Sequence, residues 1–122
     1  IKFVVPFPAG GPADTIGRVI GEKLSLRIGQ PVVIENRSGA SGVTGIAAVA
    51  KSSPDGYTIG IATSGALAMN VALQEKMAYD PLKDLLLITQ AVSVPELLVV
   101  GSSVPAQPEC AASRWRQIFR WP

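Results

Sequence analysis

Val4-Val5-Pro6-Phe7-Pro8-Ala9-Gly10-Gly11-Pro12-Ala13-Asp14 is an apolar run that turns at two glycines and enters a helix. Gly10 and Gly11 carry no Cβ, so the backbone there can take positive φ and let a ligand approach closely. Pro12 fits the first helical position, where its missing N–H leaves no bond unmade and its φ is already helical. The stretch predicts a strand, a tight corner and a helix N-terminus, with unpaired N–H groups gathered at the positive end of a helix dipole. Such a corner can receive an anion. The same residues also suit a plain strand-to-helix connection with no ligand, and the two readings stand side by side.

Outward from the corner, Lys2 to Phe7 is β-rich without strict alternation, as in a strand covered on both faces. Pro12 to Ile28 places Ile16, Val19, Ile20, Leu24 and Ile28 at helical steps, and Gly29 with Pro31 ends the helix. Val32–Glu35 reads as a second strand, stopping at the turn-forming Asn36-Arg37-Ser38-Gly39. Gly42 to Ser53 suits a small-residue helix with Ile46, Ala47, Val49 and Ala50 toward the sheet. Ser52-Ser53-Pro54-Asp55-Gly56 is a turn, and Tyr57–Thr63 is a third strand ending at Ser64-Gly65. A short helix over Leu67–Leu73 and a loop through Tyr79-Asp80-Pro81 follow. Leu85–Val94 and Glu96–Val100 are two further β-rich runs. The βαβαβ order implies right-handed crossovers and parallel strands, hence an α/β fold with an open, doubly wound, mostly parallel sheet. Ligands in such sheets bind outside the carboxyl ends of the strands, here the loops after Phe7, Asn36 and Thr63.

With 122 residues the chain is one domain at most. Eight basic and eight acidic side chains balance over residues 1–106, and the net charge of +2 comes from the three arginines and one glutamate of residues 107–122. A nucleic-acid surface would instead spread basic charge over the fold, so no nucleic-acid partner is expected. There is no histidine and a single cysteine, Cys110, which removes His-based catalysis and makes a metal site improbable. No apolar run reaches the ~18 residues of a membrane helix. No cofactor is expected, because the Ala9-Gly10-Gly11 corner has neither nucleotide-binding glycine spacing.

The candidate ligand-binding residues are Phe7, Ala9, Gly10, Gly11 and Asp14 at the first corner and Thr63, Ser64 and Gly65 at the third strand's end. Asp14 is read first as a dipole partner of its helix. It would repel a carboxylate, so a functional role would be to orient water or a hydroxyl. Thr63-Ser64 offers two hydroxyls, or a cap for the next helix. Gly39-Ala40-Ser41-Gly42-Val43-Thr44-Gly45 either lines the site or permits close helix–sheet packing. Asn36-Arg37-Ser38 matches a glycosylation sequon, a pattern too short to carry weight. Ser41 and Ser64 lack a base and the frame of a nucleophile, so no enzyme is expected.

The runs Val5–Asp14, Gly29-Gln30-Pro31-Val32-Val33-Ile34-Glu35-Asn36-Arg37, Pro54-Asp55-Gly56-Tyr57-Thr58 and Thr63-Ser64-Gly65 resemble, in order and spacing, the Bug-type substrate-binding receptors of tripartite tricarboxylate transporters. Tyr79-Asp80-Pro81-Leu82-Lys83-Asp84 and Ser93–Ala106 extend the likeness, with Asn70-Val71 where the family usually has Asn-Pro. The resemblance implies a type II periplasmic binding protein with two α/β lobes closing over a small carboxylate-bearing metabolite. It also implies a periplasmic location and membrane permease subunits as partners. Backbone N–H groups and hydroxyls of the two corners would hold the ligand's carboxylate, partly through water.

Residues 1–106 then correspond to a partial first lobe. Residues 107–122 depart from the pattern and read as a shifted frame with an early stop, poorly ordered or forming a terminal helix over Ala111–Arg120. With one lobe, binding is expected to be weak, and an uncovered apolar sheet edge is expected to favour self-association. The alternative is an independent small anion- or phosphate-binding protein complete at this length.

Overall fold

The structure, a computed structural model, describes residues 1–73 and 77–94. The chain divides into two units at Ile88/Thr89. The first contains β1 (Lys2–Val5), α1 (Pro12–Ile28), β2 (Val33–Asn36), α2 (Val43–Ala50), β3 (Thr58–Gly60) and α3 (Asn70–Leu73). A tight turn at Ala40–Gly42 precedes α2, and a π-helical turn at Gly65–Met69 runs into α3. In the second unit, the described residues 89–94 form no helix or strand. The β-rich run over Glu96–Val100 and the terminal segment 107–122 lie outside the described residues.

The sheet has the order β2-β1-β3, with both pairings parallel. Lys2 stands opposite Val33 on one side and Thr58 on the other, and Val5 stands opposite Asn36. The central strand lies under helices on both faces, which is why Phe3, Val4 and Val5 are all buried. A Cβ on Gly17 or Gly21 of α1 would overlap Val5 Cγ2 or Ile34 Cδ1, whereas one on Gly45 of α2 would overlap Pro6 Cβ and Cα. Side chains alternate across a strand, so Val5 and Pro6 mark opposite faces and the fold is doubly wound, as expected.

The buried face of α1 differs from the expected one. Its buried residues are Asp14, Gly17 and Gly21, while Val19 and Ile28 of the apolar stripe are exposed. Helix and sheet approach through bare glycines, and the larger side chains flank the contact. On the other face, Ile46, Ala66 and Tyr79 form a buried cluster, against which Val43, Ala47, Ala50, Ala62, Met77 and Leu85 pack.

Leu85–Val94 forms no strand. Leu86 and Ile88 are 91% and 79% exposed, so the run has β-rich composition without a partner strand among the described residues. Strand propensity is realised only where a neighbour supplies hydrogen bonds and a face to pack on.

Candidate functional site

Three corners leave the carboxyl end of the sheet, one after each strand, and parallel pairing puts them at the same edge. The turn at Ala40–Gly42 packs against the π-helical turn at Gly65–Met69. Gly42 also lies beside the Phe7 ring, where an added Cβ would sit 3.5 Å from Cζ. Phe7 and the Thr63–Gly65 corner are therefore neighbours of the same middle turn, and the structure gathers the two predicted groups around it.

Within the first corner, Gly10 has φ 83° and so needs glycine, whereas Gly11 is extended at φ −80° and does not. Pro12 opens α1 as expected, and Gly29 closes it with φ 64°. The two glycine amides are not unpaired, contrary to the sequence expectation. Gly10 N–H donates to Asp14 Oδ2 at 2.8 Å, and Gly11 N–H reaches the Pro8 carbonyl at 3.4 Å. The N–H groups of Ala9 and Ala13 have no acceptor among the described residues. With the Asp14 N–H, which likewise has none, they are the donors this corner can offer.

Asp14 is buried and holds the corner together. Oδ2 also accepts from Arg18 Nε at 2.9 Å, and Oδ1 accepts from Asn36 Nδ2 at 2.8 Å. Arg18 first, then the Gly10 amide and Asn36, hold the Asp14 carboxyl well below the usual carboxylate range. All three partners come from the corner itself, from α1 and from the end of β2. Arg18 pairs with Asp14 and so offsets its charge at the corner. Arg37, next along from Asn36, pairs with Glu35, which also binds Lys2 at 3.2 Å.

At the third corner, Thr63 Oγ1 accepts from Ala66 N–H at 3.4 Å, in keeping with a capping role. Ser64 is exposed and Gly65 half-buried. Tyr79 fixes this corner from below by donating its hydroxyl to the Ala66 carbonyl at 2.7 Å. The middle corner is the most strained: Gly39, Ala40, Ser41 and Gly42 all have positive φ, and two of them are not glycine.

Sequence reasoning did not single out Asn36, Arg18 or Tyr79 as site residues. The only signal was positional: a polar residue ends β2 where the neighbouring strand's corner begins. The sequon reading of Asn36 loses ground, because its amide nitrogen is engaged by Phe7 O, at 3.0 Å, and by Asp14.

The doubly wound parallel sheet, with small-residue corners at its carboxyl edge, is shared with periplasmic binding proteins. Solved structures of that class share the fold. MatC from Rhodopseudomonas palustris with bound malate is 43% identical, with a TM-score of 0.65 over 69% of this chain and 29% of its own. The periplasmic binding protein BugD is 37% identical, with a TM-score of 0.65 over 69% of this chain and 28% of its own. Residues 16–109 match the tripartite tricarboxylate transporter family receptor (TctC), and the chain belongs to that family. Protein BugT of Bordetella pertussis is 44% identical over 102 residues, covering 83% of this chain. The chain spans 31% of BugT's length.

Proposed function

We propose that this chain supplies one wall of a carboxylate-binding cleft in a tripartite tricarboxylate-type uptake system, binding its solute without catalysis. The observation that carries the reading is the gathering of three small-residue corners at one sheet edge, with free N–H groups on Ala9 and Ala13 among the described residues. The malate in MatC supports the ligand class. Phe7, Ala9, Gly10, Gly11, Asp14, Thr63, Ser64 and Gly65 form the proposed site. The amides of Ala9 and Ala13 and the Ser64 hydroxyl face the solute, while Gly10, Gly11 and Asp14 shape the corner. Residues 1–106 are assigned to the lobe and 107–122 to a tail outside the family pattern, an assignment supported by the family match ending at residue 109. Family membership supports a periplasmic location and delivery to membrane permease subunits.

One wall leaves much of a small solute in water, so affinity in the millimolar range is expected, about 4 kcal/mol of binding free energy. Titration of the chain with malate, followed by amide NMR, tests the reading. Selective shifts at Ala9, Ala13, Ser64 and Gly65 are expected. Malate that leaves these four unmoved, or moves only remote amides, overturns it.

A further inference from the structure

We propose that Asn36 is a positioning residue of the first corner: from the end of β2 its side-chain amide ties the Phe7 carbonyl to the Asp14 carboxylate and so sets the direction of the corner's free amides. As a statement about binding it rests on the carboxylate reading above. As a statement about the corner it stands on the contacts themselves.

Asn36 Nδ2 has two hydrogens and two acceptors, Phe7 O at 3.0 Å and Asp14 Oδ1 at 2.8 Å. Both partners are acceptors, which requires the nitrogen rather than the oxygen to face them. With both donors turned inward, Asn36 has no side-chain N–H left for a solute and acts through its neighbours.

Its root is fixed as well. Asn36 pairs with Val5 in the sheet, and the next amide, Arg37 N–H, donates to Val5 O at 2.8 Å. A rigid strand end therefore holds one oxygen of Asp14, and the other oxygen takes Gly10 N–H at 2.8 Å. The relay from Asn36 through Asp14 to Gly10 joins β2, α1 and the corner. Without Asn36, Asp14 keeps only Gly10 and Arg18, an exposed partner on the same helix that can follow the carboxylate into another orientation. The Phe7 carbonyl then loses its donor from β2.

The test compares Asn36→Ala and Asn36→Asp in the full chain, reading the Gly10 amide proton and the malate response of Ala9 and Ala13. Val4 and Ile59 amides serve as a control for the sheet. Asn36→Ala is expected to raise Gly10 exchange about tenfold and weaken malate binding about fivefold, with Val4 and Ile59 unchanged. Asn36→Asp keeps the shape but sets two carboxylates face to face, so at neutral pH it should disturb Gly10 similarly. On acidification the facing pair takes up a proton at a raised pKa and regains a donor, and the Gly10 signal should return toward wild type. A packing defect gives no such recovery, and Asn36→Ala should show none. An undisturbed Gly10 in Asn36→Ala, or no acid recovery in Asn36→Asp, overturns the proposal. If Asn36→Ala does not fold, the acid recovery of Asn36→Asp decides alone. If malate leaves wild-type Ala9 and Ala13 unmoved, the carboxylate reading falls, while Gly10 still reports whether Asn36 sets the corner.

Discussion

At the scale of single residues, the corner separates two glycines that look equivalent in the sequence. Gly10 sits at φ 83°, and a Cβ added there would meet open space, so Gly10→Ala costs only a left-handed backbone, about 1 kcal/mol. Gly11 is extended, and an added Cβ meets only the Pro8 carbonyl at 3.4 Å, so Gly11→Ala should be much milder. Urea unfolding of the two variants checks the order, and equal losses would contradict the assignment of the turn. Asp14 gives a second expectation. Its carboxyl is held below the usual range in the folded state, by Arg18 above all, so its contribution to stability is complete above the unfolded value of about 4. That contribution fades as pH falls through the lower folded value. The stability gap between wild type and Asp14→Ala should therefore be widest near neutrality and narrow steadily below about pH 4. A gap independent of pH would mean that the charge of Asp14 is not what holds the corner.

At the scale of elements, close approach is the governing fact. A Cβ on Gly45 would lie 2.6 Å from Pro6 Cβ, 2.8 Å from Pro6 Cα and 2.9 Å from Arg37 O, and neither backbone atom can swing away. A Cβ on Gly17 would meet only a side-chain methyl of Val5, at 2.7 Å. Gly45→Ala should thus cost about 2–3 kcal/mol and Gly17→Ala less, as thermal unfolding can measure. Tyr79→Phe keeps the ring in its cluster but leaves the Ala66 carbonyl without its donor, a loss of about 1–3 kcal/mol. It should broaden the Ser64 and Gly65 amides while sparing those of β1. These contacts also explain which parts of the fold were legible in the sequence. Turn residues and apolar runs marked β1, α1, β2, α2 and β3 because their signals are local. The glycine face of α1 was hidden, since a count of apolar side chains passes over Gly17 and Gly21, the residues that touch the sheet. Asn36 was hidden for another reason: its partners lie 22 and 29 positions away and meet it only through the parallel register of β1 and β2. Leu85–Val94 misled because β-rich composition does not by itself supply a pairing partner.

At the scale of the molecule, several large apolar side chains among the described residues lie exposed. Leu82, Leu86, Leu87 and Ile88 are exposed on one segment, and Val33 is 63% exposed on β2, an outer strand of the sheet. Contiguous apolar patches and unpaired strand edges both promote association, by different physics. The chain is therefore expected to associate with itself, and sedimentation should give a weight-average mass that rises with concentration above the 12.7 kDa monomer. A clean monomer at every concentration would end that expectation. Two substitutions separate the causes. Leu86→Ser with Ile88→Ser removes apolar area without touching a strand, so it should restore the monomer if patch burial drives association. Val33→Lys adds charge to the outer strand and leaves the 82–88 segment intact, so it should restore the monomer if edge pairing is responsible. Because malate is expected at the carboxyl edge of the sheet, neither substitution should alter the malate response of Ala9 and Ala13. A binding change that tracked the state of association would instead place part of the solute site between copies of the chain.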